Sequence, residues 1–175
     1  MGLTLADTYY LKAKGATNGF SSDWEEVCEA LNYALSYDKN HCASLCLLGT
    51  IYAEHFRDYE KAFDYFDQVI AIDINYLEVY YAYAKYLIWA DKIGRTQKLI
   101  DFAFGLKGIG KAEMYWLSAY ALETKGHYKI ALQLLKKAKI ESYNENYTYF
   151  LKDEVTRVRQ KIKLTTPKSK KPKKK

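Results

Sequence analysis

Internal spacing constrains this chain more than any other feature. Small residues stand at Gly49, Ala84 and Ala119, each 35 residues after the last. Four positions before them come Leu45, Tyr80 and Tyr115, and three positions after them Tyr52, Leu87 and Leu122. A second set follows in each unit: Val27, Leu31, Ala34; then Ala62, Phe66, Val69; then Thr96, Ile100, Ala103; then Ala131, Leu135, Ala138, at steps of 35, 34 and 35. Offsets of four and three put each set on one face of a helix. Turn signals separate the units at Asp38-Lys39-Asn40, Asp73-Ile74-Asn75 and Ser142-Tyr143-Asn144, and breaks within units fall near Arg57-Asp58, Ile93-Gly94 and Lys125-Gly126. Each unit is therefore expected to be two amphipathic helices joined by a tight turn. One pair cannot bury its own apolar stripe, so neighbouring pairs must stack. The small residue is the expected point of close helix approach.

Composition agrees with an all-helical chain. Both prolines, Pro167 and Pro172, follow 166 residues that contain none, so nothing interrupts a helical pattern. Apolar residues make up 49% of the chain, enough for a core. The net charge of +6 is uneven: residues 152–175 carry 11 basic and two acidic residues, and residues 1–151 carry 16 against 19. The expected body is mildly acidic, which disfavours a body-wide nucleic-acid surface. Three cysteines do not make a disulfide framework. The N-terminal residues lack the basic region of a signal peptide, and no apolar run is long enough to span a membrane. The expectation is a cytoplasmic protein, or a nuclear one if eukaryotic and directed by its lysine tail.

The repeat resembles the tetratricopeptide repeat (TPR) family. The resemblance is carried by Leu45, Leu48-Gly49, Tyr52, Tyr59, Ala62, Phe66 and Val69, and again by Tyr115, Ala119, Leu122, Gly126, Tyr128, Ala131, Leu135 and Ala138. It covers roughly residues 5–143. The second unit has one extra residue near Phe56, the third has Thr96 where Ala is usual, and the first has a long Gly15–Asp23 loop. The proline that closes each family unit is replaced by Lys39, Ile74 and Tyr143. The resemblance implies an α-solenoid of about four helix pairs. The expected organisation is a repeat domain over 1–143, a capping helix over 144–163 with Tyr147, Leu151, Val155, Val158 and Ile162 on its apolar face, and a disordered basic tail over 164–175.

No constellation points to catalysis, a cofactor or a metal. His41, His55 and His127 fall at turns or a helix end, without a nucleophile and acid at a usable spacing. Gly105-Leu106-Lys107-Gly108-Ile109-Gly110 follows a helix rather than a strand and lacks the Gly-Lys-Ser/Thr ending of a phosphate loop, so it is expected to be a plain connection. Cys42 and Cys46 share a helical face beside His41 but lack two further ligands for a closed zinc site. Small buried thiols are the expected outcome.

The TPR resemblance implies a concave groove lined by the first helix of each pair. By phase its residues are Cys46, Thr50 and Glu54, then Glu78, Tyr81, Lys85 and Trp89, then Glu113, Trp116, Tyr120 and Glu123, with Tyr10 and Lys14 extending it. The aromatics are the expected anchors, and Glu78, Glu113 and Glu123 favour a basic ligand. Chaperone-binding members clamp a carboxylate with basic and amide residues. The corresponding stations here are Cys46, Leu47, Thr50, Tyr81, Ala82, Lys85, Trp116, Leu117 and Tyr120, of which only Lys85 is basic. The expected function is thus a non-catalytic adaptor that binds a protein or peptide. The alternative is a nucleic-acid- or ribosome-associated protein held by Lys168, Lys170, Lys171, Lys173, Lys174 and Lys175. Self-assembly through an aromatic face or an exposed solenoid end is a third reading.

Overall fold

A computed structural model describes residues 2–17 and 23–166. Among them there are nine α-helices and no strand. Local chemistry fixes several helix starts. Thr4 and Asp7 form a reciprocal capping box at the head of α1 (Leu5–Ala16). The Asp23 carboxylate accepts from the backbone N–H of Glu25 and Glu26 at the head of α2 (Trp24–Tyr37). Asp58 and Asn144 cap α4 (Tyr59–Ile72) and α9 (Glu145–Thr165) in the same way.

The repeat also shows in its turns. Asp38 and Asp73 end α2 and α4 with nearly identical extended backbones. Each side chain accepts the N–H two residues on, from Asn40 and from Asn75, at 2.9 Å. This Asx turn closes a unit without the proline usual in tetratricopeptide repeats. The small residue at position 49 acts as expected. A Cβ on Gly49, in α3 (Cys42–Ile51), would lie 2.6 Å from the Phe66 ring of α4.

Two compact units divide the chain, Met1–Asp91 and Lys92–Lys175. In the first, α1 packs on α2, α3 on α4, and α4 on α5 (Glu78–Trp89). Its core joins Ala13, Val27, Leu31, Leu48 and Ile51. Phe66 packs against Tyr83 and Tyr86, with ring centroids at 5.1 and 6.0 Å. Tyr83 and Tyr80 keep their hydroxyls satisfied by donating to the Asp67 carboxylate and the Ile74 carbonyl, each at 2.7 Å, so large aromatics can be buried without a polar penalty. In the second unit, α6 (Ile93–Ala103) meets α7 (Lys111–Thr124), which pairs with α8 (Tyr128–Glu141), and α9 lies on α8. Leu151, Val155 and Val158 of α9 share a core with Ala119, Ala131, Leu135 and Ala138. All four second-helix triplets seen in the sequence are buried. Thr96 fits where Ala is usual because its hydroxyl donates to the Lys92 carbonyl within the helix, at 3.1 Å.

Some details depart from the sequence reading. The extra residue near Phe56 is absorbed by a single π turn, Tyr52–Phe56, at the end of α3. Gly15 and Ala16 are helical rather than loop, and residues 18–22 of the expected loop lie outside the described residues. α9 runs two residues past its expected end, with the Thr165 and Thr166 hydroxyls donating to the Lys161 and Ile162 carbonyls at 2.9 and 2.7 Å. The tail from residue 167, with its six lysines, lies outside the described residues. No helix of the described residues is long and apolar enough to cross a membrane.

Candidate interaction surface

In the first unit the sequence-derived groove residues gather on α3 and α5. Along α5, Glu78, Tyr81, Lys85 and Trp89 recur at steps of three and four and form one stripe. The other faces of this helix are buried through Val79, Tyr80, Tyr83, Ala84, Tyr86 and Leu87. Tyr81 and Trp89 remain 38% and 40% exposed. Between them, the Lys85 ammonium pairs with the Glu54 carboxylate of the π turn at 2.7 Å. It also lies over the rings of Trp89 and Tyr86, at 4.7 and 5.0 Å from their centroids. Burial pushes the Glu54 carboxyl up, but hydrogen bonds from Lys85 and Tyr86 outweigh this and leave it below the usual range. Glu78 is exposed and accepts from the Tyr76 hydroxyl at 3.1 Å.

Cys46 and Thr50 lie deeper. Cys46 is buried, and burial pushes its thiol up to about 12, which makes it an inert packing group. Thr50 is half-buried and donates to the Cys46 carbonyl at 3.0 Å. Lys14 leans over the Tyr10 ring, 5.5 Å from its centroid. Among the described residues, no group of three or more histidine, cysteine, aspartate or glutamate side chains is placed to hold a metal ion.

Sequence reasoning missed Arg57. This residue ends the π turn in the left-handed region, at φ 57°, where glycine would cost less. Its guanidinium sits over Trp89 at 5.9 Å. The exposed indole is therefore bordered by two cations, Lys85 and Arg57. The only sequence signal was the extra residue near Phe56, which shifts this turn out of the repeat phase.

In the second unit, Glu113, Trp116, Tyr120 and Glu123 hold the equivalent stripe on α7, but α9 engages part of it. Trp116 stacks on Tyr120 with ring centroids 5.7 Å apart, and its indole N–H donates to Glu154 at 2.9 Å. Phe150 meets Trp116 edge-on at 5.5 Å. Glu123 is only 5% exposed. It is bound by Arg157 and, at 2.7 Å, by Lys161. Arg157 also pairs with Glu154 at 2.6 Å. Glu123 thus serves a contact within the unit rather than facing outward. Glu113 is half-buried and borders a cavity of about 520 Å³ with Gly110, Glu141 and Tyr143.

Helix pairs with 34- to 35-residue spacing, a glycine where α3 closely approaches α4, and matching Asx turns after α2 and α4 define a TPR-like helical-repeat fold. Solved structures agree. The chain matches a crystal structure of MamA protein with a TM-score of 0.63 at 16% identity, covering 91% of this chain and 88% of that one. It matches a MamA RS-1 double mutant with a TM-score of 0.64 at 17% identity, covering 92% of each chain. It matches MamA 41-end from Desulfovibrio magneticus RS-1 with a TM-score of 0.65 at 18% identity, covering 93% of each. At such identities the likeness is one of fold. No family model and no curated protein sequence matches the chain.

Proposed function

We propose that this protein is a non-catalytic interaction module whose recognition surface includes the α5 stripe of the first unit. The observation that carries this reading is the pair of exposed aromatics, Tyr81 and Trp89, on a helix otherwise committed to the core. Rigid aromatics at the centre of a partly desolvated surface are the usual energetic anchors of protein recognition. Lys85 and Arg57 add donors beside Trp89. Glu123 is paired with α9, so the expected bias toward a basic ligand now rests on Glu78 and Glu113. A segment that combines an apolar side chain with a hydrogen-bond acceptor suits the Trp89 end.

The test uses the intact chain as bait in nuclease-treated source lysate, beside Tyr81→Ala and Trp89→Ala. The expected result is a discrete protein retained by the native chain, with recovery falling at least about tenfold for Trp89→Ala. Equal capture by variants that melt like the native chain removes the groove reading. Material captured from untreated lysate but absent after nuclease treatment favours the lysine-tail alternative instead.

A further inference from the structure

We infer that the outer face of α8 is a docking surface for an anionic lipid bilayer, separate from the α5 stripe. The first observation is charge. The unit Met1–Asp91 carries six basic and 14 acidic residues, a net of −8, and the unit Lys92–Lys175 carries 21 against seven, a net of +14. Without the tail, residues 92–166 still hold 15 basic residues against seven acidic ones, a net of +8. Basicity is therefore a property of the folded second unit as well as of its lysine end.

The second observation is how that charge is displayed. On α8, Lys129, Gln133, Lys136 and Ile140 recur at steps of four, three and four and form one solvent-facing stripe, with Ile130 beside it. Ala131, Leu135 and Ala138 on the opposite face fill the core, so this orientation is fixed by packing. Ile130 and Ile140 are 51% and 78% exposed. The stripe carries no carboxylate. Among the described residues, neither Lys129 nor Lys136 pairs with one.

The third observation is a hollow at the head of α8. A hollow of about 520 Å³ is lined by Lys129, Ile130, Ile162, Thr165 and Thr166. In the sequence, Pro167 and then the six lysines between 168 and 175 follow Thr166.

Lysines with exposed branched aliphatics suit a lipid surface. The ammonium groups meet anionic headgroups, and the isoleucines enter the headgroup–acyl boundary. A nucleic acid would use the lysines but gain nothing from isoleucine, which offers no ring for base stacking.

The experiment is co-sedimentation of the intact chain with phosphatidylcholine vesicles, with and without phosphatidylserine. The chain is expected to partition onto the phosphatidylserine vesicles and to stay in solution with the neutral ones. Lys129→Glu/Lys136→Glu should lower that partition about 30-fold or more. Ile130→Ser/Ile140→Ser should lower it about fivefold while leaving the circular dichroism and melting unchanged. If the charge-reversed variant melts early, Lys129→Gln/Lys136→Gln is read in its place. The inference is overturned if the native chain ignores anionic vesicles at low salt. It is also overturned if either variant partitions like the native chain, or if short duplex DNA at equal phosphate concentration strips the native chain from the vesicles.

Discussion

At the scale of single residues, the sharpest contrast lies between two glycines of one chain. Gly49 has no room for a methyl group. Its Cβ would press on the Phe66 ring, which Tyr83 and Tyr86 hold in place. Gly94, in the first turn of α6, meets nothing within 4 Å. Alanine raises helix propensity at both positions by up to about 1 kcal/mol, so packing decides the sign. Gly49→Ala is expected to destabilise by about 1–3 kcal/mol, and Gly94→Ala to be neutral or stabilising, in urea unfolding.

Asp7 gives a residue-scale prediction for pH. The Thr4 hydroxyl, then the Thr4 backbone N–H and His41, hold its carboxyl down at about 2, from an ordinary 3.8. A carboxyl with a depressed folded-state pKa adds stability that is fully present above its unfolded value and is lost as pH falls toward the folded one. The Asp7 contribution should thus fade between about pH 4 and pH 2. Asp7→Asn should flatten stability against pH across that window, as read by chemical unfolding. An unchanged profile would show that the capping box does not contribute to acid sensitivity.

At the scale of elements, α9 packs on α8 and binds back to α7 through charged side chains. It meets α7 through Arg157, Lys161 and Glu154, as α5 meets the π turn that follows α3 through Lys85 and Glu54. Breaking both of its cation contacts with Arg157→Ala/Lys161→Ala leaves Glu123 buried without a counter-charge and should cost about 3 kcal/mol. Adding Glu123→Gln to that variant should restore part of the loss in the same urea measurement.

The helices and their buried faces were legible because packing repeats. Each second-helix triplet had to meet its neighbour in the same way, and the 35-residue step records that. The α7–α9 network was not legible, because ionic partners need only reach and leave no period. A faint signal existed: a further step of 35 from Tyr115 lands on Phe150, and from Ala119 on Glu154. The small residue is lost at Glu154, where instead of a close approach the side chain reaches Trp116.

At the scale of the molecule, two units of one repeat architecture carry opposite charge. The boundary between acidic and basic residues at position 152 concealed this, since it credited the basic charge to the end of the chain rather than to α6–α9. The proposed groove was legible as a list of positions, but which of them stay open depends on neighbours. Burial withdraws Cys46, α9 engages Trp116 and Glu123, and the π turn brings Arg57 to Trp89. What stays open is concentrated on α5.

The most direct test of that claim is site-specific photo-crosslinking in the native lysate. A benzophenone side chain is placed in the intact protein at Tyr81 and, as a control, at exposed Gln68 on α4. A discrete protein adduct is expected from position 81 and none from position 68. The same adducts from both positions, or an adduct from position 68 alone, would contradict it.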